Sequence, residues 1–235
     1  MFDTTTISGV LLVDGWVCGH ESGLTGSLNL SSVAGMADRA LMETGITAVT
    51  IGGIATIPQG AFSQCTNLAS VAFTSGTVTI EEAAFYECTA LTSITIPSTV
   101  KTLGYAAFGG CESVSSITIG SGVEVIEEEC FAYTAATSLV VPNSVHTLHS
   151  LAFGWMFELT RVDLGTGLQN IEHYIFNGDY NLETVVFHGA KPQNALDDCL
   201  DGINGTCSFY FEHGAPGWVD GEEWCGQVFH EYPSS

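Results

Sequence analysis

The sequence predicts a solenoid, in which short coils of chain stack on one another with a parallel β-sheet along one side. Three observations predict it: a motif recurs every 22–23 residues, apolar and small polar residues alternate in the first half of each copy, and a phenylalanine recurs in the second half. The 235 residues are 46% apolar and only 13% charged, which is enough core material for one elongated domain.

The repeat is clearest in the copy that begins at Leu91 and reads LTSITIPSTVKTLGYAAFGGCES. A degenerate earlier copy occupies residues 27–45. We therefore expect about seven coils over residues 27–190, with starts 22 or 23 residues apart at Ile46, Leu68, Leu91, Val114, Ala136, Leu159 and Leu182.

The first half of each copy follows the pattern L-x-x-I-x-I, which is typical of a half-buried strand. In the copy at Leu91, we expect Ile94 and Ile96 to point inward with Leu91, while Ser93 and Thr95 point outward. Stacked strands of this kind form a parallel sheet, with neighbouring strands about 4.8 Å apart. A proline or glycine then ends the strand, as at Pro97, Gly120, Pro142 and Gly165.

The second half of each copy has apolar residues at spacings that suit a 3₁₀ or short helical turn, on the side away from the sheet. A phenylalanine at one position of six copies predicts a continuous stack of rings: Phe62, Phe85, Phe108, Phe131, Phe153 and Phe176. One coil alone buries too little apolar surface to offset the ordering of its residues. The stability must therefore come from stacking neighbouring coils.

The charge is one-sided, with 26 acidic residues against four Lys and Arg, a net charge of -22. This balance argues against nucleic acid and anionic membranes as partners, because both require basic residues. No apolar run approaches the roughly 18 residues of a membrane-spanning helix, so we expect no membrane insertion. No export signal is visible at the N-terminus, which is compatible with a natural start or with a removed signal.

Residues 91–111 nearly match L-x-x-I-x-I-P-x-x-V-x-x-I-G-x-x-A-F-x-x-C. This pattern resembles the BspA-like, or Treponema pallidum-type, leucine-rich repeat family. The resemblance divides the chain into an N-terminal lead-in (1–26), a leucine-rich-repeat solenoid (27–190) and a C-terminal closing segment (191–235). It implies a secreted or surface-displayed bacterial protein that acts in adhesion or protein binding.

The coils from Ala136 onward break the repeat, and we expect the ligand-binding surface there. Outward strand positions are small in the early coils, whereas charged and aromatic residues collect in the later ones. An alternative is that Phe157 and Met156 only fill the core below a missing cysteine. The candidate residues are Trp155, Phe157, Arg161, Asp163, Tyr174, Tyr180 and His188.

Six of the eight cysteines fall into two groups. One position of three consecutive coils predicts buried, reduced thiols: Cys65, Cys88 and Cys111. Three more cysteines lie towards the C-terminus: Cys199, Cys207 and Cys225. A disulfide among them is compatible with an exported protein, and Cys199–Cys207 is the pair that we favour.

Metal binding and catalysis find little support in the sequence. Zinc could use three histidines in neighbouring coils, but their spacing fixes no fourth ligand: His146, His149 and His173. A row of acids lacks the D-x-D spacing expected of a calcium loop: Glu81, Glu82, Glu127–Glu129 and Glu172. No phosphate loop, nucleophile elbow or zinc-hydrolase helix occurs. We expect no metal, no cofactor and no enzymatic activity.

Three functions remain open at this stage. The leading hypothesis is a surface module that binds a host matrix protein or a neighbouring surface protein, with a glycan as the alternative ligand. The second is a structural spacer or self-assembling solenoid without a specific ligand, the chain being a monomer or weakly self-associated. The third is a carbohydrate-acting enzyme that uses paired acids.

Overall fold

A computed structural model describes residues 7–203 and 205–233 and shows a solenoid of about nine coils. The sequence analysis counted about seven coils because its alignment of the copies stopped at residue 190, whereas the strands continue to stack beyond that residue. Each coil contributes a strand to one sheet face, and seven of the coils add a two-residue strand to a second sheet. We number the strands β1–β21 in chain order.

The first element of the described residues is a hairpin of β1 (Val10–Val13) and β2 (Trp16–His20). The sheet face that follows consists of β3 (Thr25–Leu30), β5 (Gly45–Gly52), β7 (Ser70–Ser75), β9 (Ser93–Thr95), β11 (Ser116–Thr118), β13 (Ser138–Val141), β15 (Arg161–Leu164), β17 (Thr184–Phe187), β19 (Ser208–Phe211) and β21 (Gln227–Glu231). These strands pair in parallel in three runs, β3 to β7, β9 with β11, and β13 to β21. The predicted orientation is confirmed, since Ile94 and Ile96 are buried and Ser93 and Thr95 are exposed.

The second sheet is a single seven-stranded parallel sheet. It consists of β6 (Thr56–Ile57), β8 (Thr79–Ile80), β10 (Thr102–Leu103), β12 (Val125–Ile126), β14 (Thr147–Leu148), β16 (Asn170–Ile171) and β18 (Asn194–Ala195). In each of these short strands the second residue is apolar, and its side chain packs against the core. Leu103, for example, pairs with Ile80 and Ile126, and all three are fully buried.

The third side consists of turns, where the sequence predicted 3₁₀ or short helical turns. Each turn region has a residue with positive φ two positions before the ladder phenylalanine and another two positions after it. Around Phe108 these are Ala106 at 46° and Gly110 at 71°. Left-handed residues interrupt a right-handed helix. The N–H groups of Ala106, Phe108 and Gly110 donate to carbonyls of the next coil, at 2.9 Å each. The intervening Ala107, Gly109 and Cys111 N–H groups donate to the carbonyl three residues earlier, so turn bonds within a coil alternate with bonds between coils.

The phenylalanine ladder is confirmed. Six rings stack in sequence with centroid separations of 5.1–6.0 Å and interplanar angles of at most 18°. The predicted thiol ladder lies beside it, and the Cys111 thiol donates to the Phe85 carbonyl of the preceding coil at 3.2 Å. Burial raises the pKa of Cys111 to about 12, so this side chain stays a thiol at neutral pH.

Both ends of the stack have additional elements. At the N-terminal end, β2 pairs with β4 (Gly35–Met36). At the C-terminal end, β18, β19 and β21 continue the two sheets, and β20 (Glu222–Trp224) adds an antiparallel edge. Strand stacking therefore continues beyond residue 190, where the sequence analysis ended the solenoid. Among residues 7–203 and 205–233, no helix has the length and apolarity that crossing a bilayer requires.

Candidate binding surface

The seven residues proposed from the sequence lie in three separate places on the solenoid. Their positions within the repeat differ, so stacking sends them to different sides. Three lie on the sheet face: Arg161, Asp163 and His188. Three lie at the corner that follows the turn region: Trp155, Phe157 and Tyr180. Tyr174 precedes the ladder phenylalanine and lies at the opposite corner.

An ion pair occupies the sheet face at β15. Arg161 and Asp163 take the two outward positions of this strand. The Arg161 Nε and Nη2 atoms donate to Asp163 Oδ2 and Oδ1, both at 2.7 Å. His188, directly after β17, brings its Nε2 atom to 2.9 Å from Asp163 Oδ1. One carboxylate therefore orients both a guanidinium and an imidazole.

The electrostatics keep this pair charged. Although burial raises it, hydrogen bonds from Arg161 and His188 bring the pKa of Asp163 below its ordinary value. The hydrogen bond to Asp163 in turn raises the pKa of Arg161 above its ordinary value. The other ring nitrogen of His188 lies 3.3 Å from Glu212 Oε2. The side chains are thus fixed before any partner arrives.

Two tyrosines that the sequence reasoning missed complete the group. Tyr232, which follows β21, places its ring centroid 5.7 Å from the Arg161 guanidinium carbon, and its hydroxyl lies 3.4 Å from Arg161 Nη1. Tyr210, on β19, meets the Tyr232 ring edge-to-face at 5.3 Å. We call Arg161, Asp163, His188, Tyr210 and Tyr232 the sheet-face cluster. The alternation in Ser208–Phe211 could have placed Tyr210 outward, but no repeat pattern reached Tyr232.

A cleft of about 350 Å³ marks the corner after the turn regions, and a second cleft of about 250 Å³ opens in the sheet-face cluster. The second is lined by Arg161, Thr184, Tyr210, Tyr232 and Pro233. Its lining combines a guanidinium, a hydroxyl and aromatic rings. These groups suit the backbone and side chains of a protein partner, in which tyrosine and arginine contacts carry much of the binding energy.

The corner aromatics form what we call the aromatic edge, Tyr133, Trp155, Phe157 and Tyr180. Trp155 stacks on Tyr133 with centroids 5.0 Å apart and planes 9° from parallel, and Phe157 meets Tyr133 edge-to-face at 6.2 Å. Tyr133 was missed, although it precedes Trp155 by one repeat. Met156 is fully buried while Phe157 is 47% exposed. Of the two residues considered as core filling, only Met156 serves that purpose.

Tyr174 joins neither group. It is exposed, and its hydrogen bond with Asp198 raises its pKa above the ordinary value. The same carboxylate lies 2.6 Å from His173 Nδ1. This contact is a surface pairing between neighbouring coils and is separate from both clefts.

The three histidines considered for zinc contact different partners. His149 lies between Glu172 at 3.0 Å and Glu127 at 3.5 Å, His146 contacts Thr147, and His173 contacts Asp198. In the described part of the chain, no three His, Cys, Asp or Glu side chains are arranged to hold a metal ion. The acidic row thus includes a carboxylate–imidazole contact, with His149 between Glu127 and Glu172.

The Cys199–Cys207 disulfide that the sequence favoured stays a prediction, but the structure brings a different thiol close to Cys199. All eight cysteines are free, and the thiol of Cys199 interacts with Cys225, not with Cys207. Cys225 lies in the turn between β20 and β21 with φ of 47°, and this turn folds back over the last coils. Burial raises the pKa of Cys207 to about 12.

Asp179 replaces the ladder cysteine in the coil after Met156. It is fully buried, its Oδ1 accepts a hydrogen bond from the Met156 N–H at 2.7 Å, and its Oδ2 has no hydrogen-bond partner. Burial raises the pKa of Asp179 to about 9. The carboxyl is therefore protonated at neutral pH.

The repeating coil, the parallel sheet face and the buried phenylalanine ladder define a leucine-rich repeat solenoid. The chain belongs to the BspA-type family: the BspA type Leucine rich repeat region matches residues 34–156 and 78–201, with six copies. No curated protein matches the chain.

Solved structures show the same fold. A leucine rich cell surface protein from Faecalibacterium prausnitzii is 17% identical, with a TM-score of 0.56, over 97% of this chain and 87% of that one. The Leucine Rich Repeat protein of T. pallidum is 25% identical, with a TM-score of 0.54, over 77% of this chain and 76% of its own. The identity of the first is low enough that it shows the fold alone.

Proposed function

We propose that the chain is a cell-surface binding module that captures a protein partner on the sheet face of its last coils. The observation that carries the proposal is the sheet-face cluster. Upstream, the outward strand positions are mostly small, namely Ala48, Thr50, Ser70, Ala72, Ser93, Thr95, Ser116, Thr118 and Ser138. At β15 they become a fixed ion pair, beside which Val140 is 65% exposed.

The geometry favours binding for a physical reason. Arg161 is held by two hydrogen bonds to Asp163, so little side-chain entropy remains to be lost when a partner docks. Its remaining N–H donors and the two tyrosine rings provide directional and apolar contacts together. A docked protein would bury Val140 against an apolar residue of its own.

A surface location is part of the proposal. Membership of the BspA-type family supports it, and one structural relative is described as a leucine rich cell surface protein. The test is protease treatment of intact cells that produce the natural full-length protein. Release of solenoid fragments without lysis is expected, and full protection of the protein would contradict a surface location.

The binding test is a screen of matrix glycoproteins and polysaccharides against the purified chain. We expect a saturable protein ligand, and we expect Arg161→Ala to weaken it at least tenfold, since breaking a partly buried, hydrogen-bonded charge pair commonly costs 2 kcal/mol or more. Lys101→Ala is the matched control, because it breaks the exposed pair with Glu124 at 2.7 Å elsewhere on the solenoid.

Trp155→Asn separates the two candidate surfaces, since asparagine tolerates the left-handed backbone at this position. Full binding by this variant together with loss in Arg161→Ala places the site on the sheet face. The reverse result moves the site to the aromatic edge. Saturable binding of a polysaccharide, and of no protein, would mean that the ligand is a glycan.

Self-association is the second candidate, and one observation favours it. β3 ends its sheet, and among the described residues no strand pairs with its other edge. Unpaired edges are prone to pair with another chain. Light scattering over a concentration series tests this, and a mass that stays at that of one chain would exclude it.

We infer a non-catalytic role from membership of the BspA-type family. A glycoside hydrolysis panel tests the remaining enzymatic hypothesis. Turnover of any glycoside that is lost in Glu127→Gln or Glu172→Gln would overturn the inference.

A further inference from the structure

The aromatic edge contains a cleft that originates in a shortened corner of one repeat. The first residue of the next strand motif lies six residues after the ladder phenylalanine in Phe108–Val114 and in Phe153–Leu159. In Phe131–Ala136 this separation is only five residues. One residue is missing from the corner of this coil. The small Ala135 therefore lies where its neighbours in the stack present Glu112 on one side and Phe157 on the other.

The cleft over this corner has a volume of about 350 Å³ and is lined by Glu112, Tyr133, Thr134, Ala135, Phe157 and Glu158. Thr134 is buried and its hydroxyl donates to the Phe131 carbonyl at 2.9 Å, which fixes the floor. The Tyr133 and Phe157 rings form walls at 70° to one another, and they remain 44% and 47% exposed.

The Tyr133 ring is rigidly held and presents one face. Trp155 covers the other face by parallel stacking at 5.0 Å. On the uncovered side the stack continues with Gly110, which has no side chain to cover the ring. The Glu87 side chain lies beside Gly110, and its carboxylate accepts a hydrogen bond from the Gln64 amide at 2.9 Å. A flat cationic group can therefore approach the ring.

The two carboxylates at the cleft have no countercharge. Glu112 and Glu158 are exposed, and among the described residues neither forms an ion pair. Three of the chain's four bases are already paired at other places: Lys101 with Glu124, Arg161 with Asp163, and Lys191 with Glu222. The fourth base, Arg39, lies over Gly60 in an early coil. With a net charge of -22, the surface attracts cations.

We propose that this cleft binds an arginine side chain of a partner protein. A planar guanidinium stacks on the Tyr133 face and donates hydrogen bonds to Glu112 and Glu158. Both the shape and the charge of the cleft favour this occupant over an apolar or acidic side chain. The inference rests on the proposed function in taking the partner to be a protein, but it concerns a different side of the solenoid from the sheet-face cluster.

The experiment uses the full chain and a capped peptide, acetyl-Gly-Arg-Gly-amide. Its citrulline counterpart has the same shape without the charge. Binding is followed by NMR through the ring protons of Tyr133 and Phe157. We expect saturable shifts with a dissociation constant in the millimolar range for the arginine peptide, and at least tenfold weaker binding for the citrulline peptide.

Variants locate the site. Glu112→Gln combined with Glu158→Gln is expected to weaken the arginine peptide about tenfold, and Phe157→Ser is expected to weaken it without any change of charge. The matched control is Glu82→Gln with Glu128→Gln, which removes the same charge from two exposed acids elsewhere and should change affinity less than twofold.

Three results would overturn the proposal: no saturable shifts at the two rings, equal binding of the citrulline peptide, or equal weakening by the two double variants. The last would mean that only net charge attracts the peptide. Arg161→Ala should leave this assay unchanged. Failure of the sheet-face proposal and failure of this one are therefore distinguishable.

Discussion

The buried carboxyl of Asp179 gives the sharpest prediction about stability. Its pKa is raised from 3.8 to about 9 by burial, so the folded protein holds a proton that the unfolded chain releases above pH 4. A raised folded-state pKa gives stability that is complete below pH 3.8 and is lost as the pH rises towards 9. Replacing Asp179 with asparagine keeps the acceptor for the Met156 N–H at 2.7 Å and removes the titration.

The magnitude follows from the pH distance to the unfolded-state pKa of 3.8. Each unit corresponds to about 1.4 kcal/mol, so Asp179→Asn should raise the free energy of unfolding by ~4 kcal/mol at pH 7. At pH 5 the gain should be only ~1.5 kcal/mol by the same relation. Because the side chain is fully buried, solvent screening does not reduce these values.

Urea unfolding at several pH values between 5 and 8 measures the effect. Asp220→Asn is the control, because this exposed carboxyl has its pKa lowered, first by the Glu231 N–H and then by His230, and is ionised throughout the range. We expect the control to follow the wild-type pH dependence and Asp179→Asn to depart from it. Parallel profiles for wild type and Asp179→Asn would refute the assignment of a protonated, buried Asp179.

The remaining predictions concern packing and thiol chemistry. Phe108→Ala, in the middle of the ring stack, should lower the free energy of unfolding by ~4 kcal/mol, measured by urea titration; a loss below ~1 kcal/mol would contradict the ladder's role in the core. Gly122→Ala places a Cβ against the Ser98 carbonyl oxygen of the preceding coil and should destabilise by more than ~2 kcal/mol. Gly19→Ala, whose Cβ would have its nearest atom at 3.7 Å, should change little, and equal effects would contradict the close approach of the coils. Oxidised glutathione should link Cys199 to Cys225 by disulfide exchange, because their thiols are in contact; peptide mapping that finds either of them linked to another cysteine would contradict this prediction.

The repeat could be predicted because each coil makes the same contacts as its neighbours. A spacing of 22–23 residues fixes which side chains lie above one another, so the inward strand residues, the phenylalanine ladder and the thiol ladder all follow from alignment of the copies. The turn regions were harder. Non-glycine residues such as Glu129, Tyr133 and Trp155 adopt positive φ there, against their own preferences, because their N–H groups bond to the next coil.

In the candidate sites, too, some features could be predicted from the sequence and others could not. Arg161, Asp163 and His188 could be picked out as departures from the repeat, yet their meeting point depends on Tyr232, which is 71 residues from Arg161 in sequence. The sequence revealed only part of the aromatic edge. Trp155 and Phe157 depart from the repeat pattern, but Tyr133 and the acids of the cleft do not. A missing residue in one corner became informative only once the neighbouring coils were in place.

The sequence by itself determined the period, the inward face of each coil and the family, because these depend on local order repeated at a constant interval. The tertiary structure alone decided which of the unusual side chains meet. It separated seven candidate residues into three places, brought Cys225 rather than Cys207 to Cys199, and closed the last coils with strands that lack the repeat. These contacts join distant segments, and their geometry depends on the stacking of whole coils.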